Sequence, residues 1–171
     1  MVGLVGSIVD FKGLRTGLGM DVHALVPGRE LILGGVEIEH HLGLDGHSDA
    51  DVLAHAISDA LLGAAREGDI GKLFPDTDPR FEGADSLVLL GNVAEHIRCC
   101  GFEIIDVDSV IAAQAPKLSP YRDEMRKNLS QAMGIDIDNI GVKATTTEQL
   151  GYEGRSEGIT AYASCILVKK Q

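Results

Sequence analysis

The stretch Arg15–His23 constrains the fold most. Its residues alternate, with Leu18, Met20 and Val22 on one side and Gly17, Gly19, Asp21 and His23 on the other. A period of two belongs to a half-buried strand, and it places Asp21 and His23 on the same face. Gly17-x-Gly19 lacks the third glycine of a dinucleotide fingerprint and no long βαβ unit follows, so that reading is discarded.

Downstream, Glu30–Leu33 and Val36–Glu39 flank Gly34-Gly35, a hairpin signal. Ser48-Asp49-Ala50-Asp51 reads as a capping box before a helix to Glu67, with Val52, Leu53, Ala56, Ile57, Ala60 and Leu61 as its apolar face. Asp69–Arg80 reads as a loop. A second helix is expected over Ser86–Cys100, with Gly101 as its cap. Ile104–Ala113 reads as a strand. Ser119, then Pro120 at the first helical position, opens a helix to Met133 that Gly134 ends. Ile140–Ala144 and Thr160–Val168 read as strands around a Gly-rich loop, Leu150–Gly158. This order predicts an α+β fold: a single domain with a mixed β-sheet and helices on one face. At 171 residues the chain suits one core.

Charge narrows the partners. Lys+Arg of 15 against Asp+Glu of 26 gives a net charge of −11, which repels nucleic acid and anionic membrane over most of the surface. Aromatics are 4% and Trp is absent, so base-stacking platforms are few. A phosphorylated substrate must be met locally, by metal ions, backbone amides and a few cations. No run reaches the ~18 apolar residues of a membrane span. Met1–Phe11 is apolar without a basic flank or a small-residue cleavage pattern, so no signal peptide is expected. Cys99, Cys100 and Cys165 form no CxxC pair and read as reduced, cytoplasmic thiols.

Five of the six histidines fall between His23 and His55. Asp21, His23 and His55 make a candidate three-ligand site with an open fourth position, which suits catalytic Zn²⁺. The alternative is that each is an ordinary surface or capping group. His40 and His41 read as solvated loop residues, and His96 as a partly exposed helix position. His47-Ser48, ahead of a helix N-terminus, is a candidate anion site or a plain cap. Thr145-Thr146-Thr147-Glu148 offers hydroxyls and an acid for phosphate and Mg²⁺, or is ordinary strand-end β structure. Arg155 is a second candidate phosphate ligand.

Five segments together resemble a known family: Arg15–His23 (RTGLGMDVH), Gly46–His55 (GHSDADVLAH), Asp69–Pro79 (DIGKLFPDTDP), Ala113–Leu118 (AQAPKL) and Lys143–Arg155 (KATTTEQLGYEGR). They look like 2-C-methyl-D-erythritol 2,4-cyclodiphosphate synthases, in order and with the right spacing over residues 15–170. Met20 stands where an aromatic is common and Tyr152 where Phe is common. Residues 1–14 have no counterpart and are expected to be an extension or tag, with the synthase domain at 15–171.

The resemblance implies a lyase of the non-mevalonate route of isoprene biosynthesis. It would convert 4-diphosphocytidyl-2-C-methyl-D-erythritol 2-phosphate, a cytidine diphosphate-linked small molecule, to the 2,4-cyclodiphosphate and CMP. It implies that Asp21, His23 and His55 ligate Zn²⁺ and that His47 and Ser48 hold the methylerythritol phosphate end. His47 with Thr146 would align the transferring phosphate. Asp69, Ile70, Gly71, Phe74, Pro75, Asp76, Thr77 and Asp78 would contact ribose and methylerythritol. Ala113, Gln114, Ala115, Pro116, Lys117, Leu118 and Ser119 would form the cytosine pocket. Thr145, Thr146, Thr147, Tyr152 and Arg155 would meet the substrate's diphosphate side, with Glu148 on Mg²⁺ or Mn²⁺. It also implies a homotrimer with active sites between subunits. A metal-dependent phosphoester hydrolase and a non-catalytic phosphate binder remain as alternatives, separated by whether CMP is released and whether the product is cyclic.

Overall fold

β1 runs from Leu14 to Val26, longer at both ends than its alternation alone delimits. The structure, a computed structural model, describes residues 13–75, 79–81 and 83–170. Residues 1–12 of the expected extension, and the expected site residues Asp76, Thr77 and Asp78, lie outside the described residues.

β1 is a central strand of a five-stranded sheet ordered β4 (Gly43–Leu44), β1, β7 (Gly158–Lys169), β5 (Phe102–Ala112), β6 (Ile140–Thr145). β7 runs antiparallel to both β1 and β5, while β5 and β6 are parallel, so the sheet is mixed as expected. The hairpin β2 (Leu31–Leu33) and β3 (Val36–Ile38) forms its own small sheet. Gly34 and Gly35 turn it at φ 58° and 67°, both left-handed, the requirement of a two-residue turn matched to strand twist.

The side of β1 buried in this chain is the glycine side. α1 (Val52–Ala65) lies across it so closely that a Cβ on Gly17 would sit 1.9 Å from the Ala60 carbonyl oxygen, and one on Gly19 2.0 Å from that of Ala56. The helix answers with small residues: Ala56, Ala60 and Ala64 are wholly buried. The Cys165 thiol of β7 donates to the Ala60 carbonyl at 3.2 Å. α3 (Ser86–Cys99) packs on α1, and α4 (Arg122–Met133) on α3 and β6, completing the helical layer. Among the described residues nothing covers the opposite face of the sheet: Leu18, Met20 and Val22 of β1 are 76%, 47% and 43% exposed, and Tyr162 and Ile166 of β7 are exposed beside them.

Several local expectations are corrected. The N-cap of α1 is Asp51, not Ser48. Asp51 is wholly buried, and its carboxylate accepts from the amides of Leu53, Ala54 and Gly35, tying the helix start to the hairpin. The Ser48 hydroxyl accepts from the Ala50 amide and lies 3.3 Å from His55 Nε2, and caps no amide of α1. The helix stops at Ala65 rather than Glu67, because Arg66 turns left-handed and its amide closes back on Gly63. α4 starts after Tyr121, since the amide of Tyr121 bonds the Leu118 carbonyl and makes Ser119-Pro120 a turn. The expected loops contain the one-turn helices α2 (Ile70–Leu73) and α5 (Gly151–Gly154). Among the described residues no helix is long and apolar enough to cross a membrane. Cys99, Cys100 and Cys165 are all free thiols.

Candidate active site and metal centre

Asp21 and His23 leave β1 on its glycine side, and His55 stands one turn into α1, over the same patch. The close approach at Gly17 and Gly19 brings the three together. Asp21 Oδ2 lies 3.0 Å from His23 Nε2 and 3.0 Å from His55 Nδ1, and the two ring nitrogens are 3.3 Å apart. Burial works against the charge of Asp21, but hydrogen bonds from His23 and His55 outweigh it and hold the carboxyl far below its usual range. Burial likewise disfavours charged His23, but Asp21 outweighs it and raises the imidazole above its ordinary value.

The outer contacts set the tautomers. His23 Nδ1 faces the Asp45 carbonyl at 2.5 Å, so Nδ1 donates and Nε2 keeps its lone pair for the cluster. The Ser86 hydroxyl donates to Asp49 Oδ1, and the Asp49 carboxylate also takes the Ser86 amide at 3.0 Å. With its proton so used, Ser86 Oγ accepts from His55 Nε2 at 2.9 Å, so that once an ion takes the place of the proton shared with Asp21, His55 Nδ1 has the lone pair to bind it. One carboxylate oxygen and two imidazole lone pairs thus converge on one point. Two imidazoles and a carboxylate at these separations suit a tetrahedral divalent ion with a fourth position free.

A pocket of about 280 Å³ opens over the cluster. His47, Ser48, Ile70, Gly71, Phe74, Phe81 and Leu89 line it with the three ligands. Phe74 meets Phe81 edge-on at 5.2 Å. Asp69 is not among the lining residues; it caps α2 through the Lys72 amide, while Asp59 accepts from the Ile70 amide at 2.8 Å. Pro75 follows, exposed.

The other expected residues gather elsewhere. Ala113–Ser119 with Ala144, Thr145 and Thr146 line a second pocket of about 340 Å³ beside β5 and β6. The Ala113 amide bonds the Thr145 carbonyl at 3.0 Å, and Gln114 Oε1 accepts from the Gln149 amide at 3.2 Å. Thr146 Oγ1 donates to Glu148 Oε1 at 2.6 Å. Glu148 and Gln149 both hold left-handed backbone, φ 54° and 64°, a strained pair of the kind that clusters at ligand sites. Arg155 forks onto Glu157 at 2.8 and 2.9 Å. Tyr152 donates to Thr160, which donates to buried Glu153, anchoring this loop to β7.

Sheet register measures the gap between the two pockets. Asp21 pairs with Ala161, Ala161 with Ile111, and Ile111 with Ala144. The metal cluster and the Thr145 edge therefore sit at the same level, three strand spacings apart, about 14 Å.

Sequence reasoning missed Ser86, Asp49 and the Asp45 carbonyl. Ser86 lies 31 positions from His55 and reads only as a helix-start serine, so nothing local marks it. His40 and His41 stack edge-on with each other, outside both pockets.

A profile of the YgbB family matches residues 14–168. The chain belongs to the YgbB family. The 2-C-methyl-D-erythritol 2,4-cyclodiphosphate synthase of Finegoldia magna is 60% identical over 157 residues, 92% of this chain and 99% of the relative. The bifunctional IspDF of Campylobacter jejuni superposes with a TM-score of 0.88 at 46% identity, over 91% of this chain and 42% of that longer one. The Plasmodium falciparum IspF structure, a CDP complex, superposes with a TM-score of 0.81 at 35% identity, over 93% and 98% of the two chains. The family is the one the five motifs resemble, a family of phosphorus–oxygen lyases of the non-mevalonate isoprenoid route.

Proposed function

We propose that the chain converts 4-diphosphocytidyl-2-C-methyl-D-erythritol 2-phosphate to 2-C-methyl-D-erythritol 2,4-cyclodiphosphate and CMP, as a cytoplasmic homotrimer. The observation that carries this reading is the split site: a three-ligand metal centre in one pocket and a second pocket lined by Ala113–Ser119, Thr145 and Thr146 about 14 Å away.

Asp21, His23 and His55 would hold Zn²⁺, and Glu148 with the neighbouring threonines offers hard oxygen ligands for Mg²⁺ or Mn²⁺. Such ions, when bound, spread the phosphate charge and stabilise the departing CMP, supplying a positive field that a −11 chain lacks. His47 and Ser48, at the mouth of the metal pocket, hold the 2-phosphate. Ile70, Gly71 and Phe74 wall in the methylerythritol. Ala113–Ser119 hold the cytosine ring, and Thr145–Glu148 the diphosphate. An oxygen of the 2-phosphate forms a bond to the β-phosphorus, and the bond from that phosphorus to the CMP oxygen breaks. Attack within one molecule has high effective molarity once the chain is bent into ring geometry, so positioning is most of the work.

The trimer rests on two supports. One transferring phosphate must touch both the metal centre and Thr146, and it does not span about 14 Å within a chain. The apolar sheet face that the described residues leave open, with Leu18, Met20, Val22, Tyr162 and Ile166, suits packing against copies of itself. Heterologous contacts in a ring then give each chain one half of two different sites.

Phosphorus NMR of the product tests the chemistry: a cyclic diphosphate with CMP is expected. A linear product would indicate a hydrolase, and no CMP release a binder; either overturns the proposal. Assembly is tested by co-expressing a His55→Ala chain with a Thr146→Ala, Glu148→Gln chain. Random mixing should restore about a quarter of wild-type activity, because each site needs one intact half from each chain. No recovery in demonstrably mixed particles would place the whole site within one chain.

A further inference from the structure

His55, in the first turn of α1, and Ala65, its last residue, are about 15 Å apart along the helix axis. At the far end a second cluster of donor atoms lies away from the pockets described above. Glu67 follows the end of α1, His96 stands in the last turn of α3, and Cys100 caps that helix. His96 Nε2 is 3.4 Å from Glu67 Oε2 and 3.7 Å from Cys100 Sγ, and all three ligand atoms lie within 4.8 Å of one another. A tetrahedral ion, with about 2.3 Å to sulfur and about 2.0–2.1 Å to nitrogen and oxygen, separates S from N by about 3.6 Å and N from O by about 3.4 Å. Both spacings from His96 match, and the Glu67–Cys100 spacing, within 4.8 Å, closes the triangle. His96 and Cys100 are four residues apart, so they share one helix face.

The electrostatics point the same way. α1 and α3 both end here, and each brings the negative end of its dipole to the cluster. His96 and Glu67 are each about one-third exposed, 35% and 36%, open enough for an ion to enter.

We propose that Glu67, His96 and Cys100 form a second, thiolate-containing site for a thiophilic divalent cation such as Zn²⁺ or Cd²⁺, with solvent in the fourth position. Binding forms a metal–sulfur bond and releases the Cys100 thiol proton to solvent, with no redox change. The ion clamps the ends of α1 and α3 together and leaves catalysis to the other centre. Neighbouring Cys99, though exposed, is not a ligand.

Co²⁺ is the probe, because a thiolate ligand gives a near-ultraviolet charge-transfer band that the sulfur-free Asp21, His23, His55 centre does not produce. The full chain, dialysed free of metal, is titrated with Co²⁺. The expected result is a band that saturates with one thiolate-bound Co²⁺ per chain and is bleached by Zn²⁺. Cys100→Ser should abolish it, His96→Ala should weaken the Co²⁺ dependence of the band at least tenfold, and Cys99→Ser should leave it unchanged. Zn²⁺ should raise the Tm of the wild type more than that of Cys100→Ser, whose metal-free Tm should be near wild type. Absence of the band in the wild type, its survival in Cys100→Ser, or its loss in Cys99→Ser would each overturn the proposal. The band reads this site whether or not the first one binds metal.

Discussion

Around Asp21 both imidazole ligands have a second restraint: His23 is held by the Asp45 carbonyl, and His55 by Ser86, itself held by Asp49. Around Thr146 the functional groups hold one another instead. Thr146 bonds Glu148, Arg155 forks onto Glu157, and Lys143 pairs with Asp108, all of them exposed. The first half is organised for an ion before any ion arrives. The second must exchange internal pairs for ligand contacts, so its geometry is completed by what binds. Changes in the metal half should therefore fall on metal content and turnover together. Changes in the nucleotide half should fall on substrate and Mg²⁺ dependence.

The largest effect is expected from His55→Ala and Asp21→Asn. Each removes one of three protein ligands, and turnover should fall by roughly a thousandfold with loss of bound metal. His40→Ala, outside both pockets, should change neither. Full metal occupancy in purified His55→Ala would remove His55 from the centre and dissolve the contrast. Gly19→Val comes next. Its side chain would enter the Ala56 carbonyl, so α1 must lift, at about 3 kcal/mol or with failure to fold. Gly63→Ala is the counterpart: nothing lies within 4 Å of its Cβ position, and helix propensity predicts a gain of a few tenths to about 1 kcal/mol. Denaturant melts of the two variants check both signs.

Ser86→Ala removes no ligand but takes away the nearer of the two hydroxyls at His55 Nε2, 2.9 Å against 3.3 Å for Ser48. Metal affinity should drop about 10–100-fold, read by competition with a chelator, while the fold persists. An unchanged affinity would mean that the outer contacts do not organise the metal half.

How much of this was legible beforehand depends on whether the information is local. Asp21 and His23 share a strand face by period alone, and the helix carrying His55 shows a clear apolar face. Their meeting depends on Gly17 and Gly19, whose role is visible only once α1 is seen resting on them. The alternation in β1 was readable, but not which side the helix would cover. The cap of α1 was misplaced because Ser48, Asp49 and Asp51 are all good caps. The tie-breaker is the Gly35 amide, 16 positions away. α2 and α5 have four residues each, too short to show a period. The pocket at Ala113–Ser119 is built from residue types with no marked chemistry in sequence, such as Ala, Pro and Leu; only the family resemblance pointed to it.

Glu148→Gln sharpens the other side of the comparison. It should leave the first metal in place and lower activity by about tenfold, with part of the loss recovered at high Mg²⁺, because a neutral amide is a weaker ligand for a hard cation. Loss of zinc instead would show that the halves are not separable.

The smallest effect concerns the floor beneath the metal half. Cys165 is 3% exposed under α1, and burial pushes its thiol from 9.0 up to about 11, with its hydrogen-bonded surroundings only partly opposing. The native state thus keeps the proton longer than the unfolded chain does. Stability is unaffected below pH 9 and falls between pH 9 and about 11, where only the unfolded thiol ionises. The loss should be about 1 kcal/mol by pH 10 and undetectable at pH 7. Cys165→Ala carries its own packing cost at every pH but lacks this alkaline slope, so the difference between the two stability curves isolates the thiol. A thiol reagent at pH 8 should label exposed Cys99 first and leave Cys165 unmodified. Rapid labelling of Cys165, or a slope shared by wild type and variant, would mean that α1 lifts from β1 and β7 readily. The metal half would then be as adaptable as the nucleotide half, because the contacts that aim His55 at Asp21 stand on that same floor.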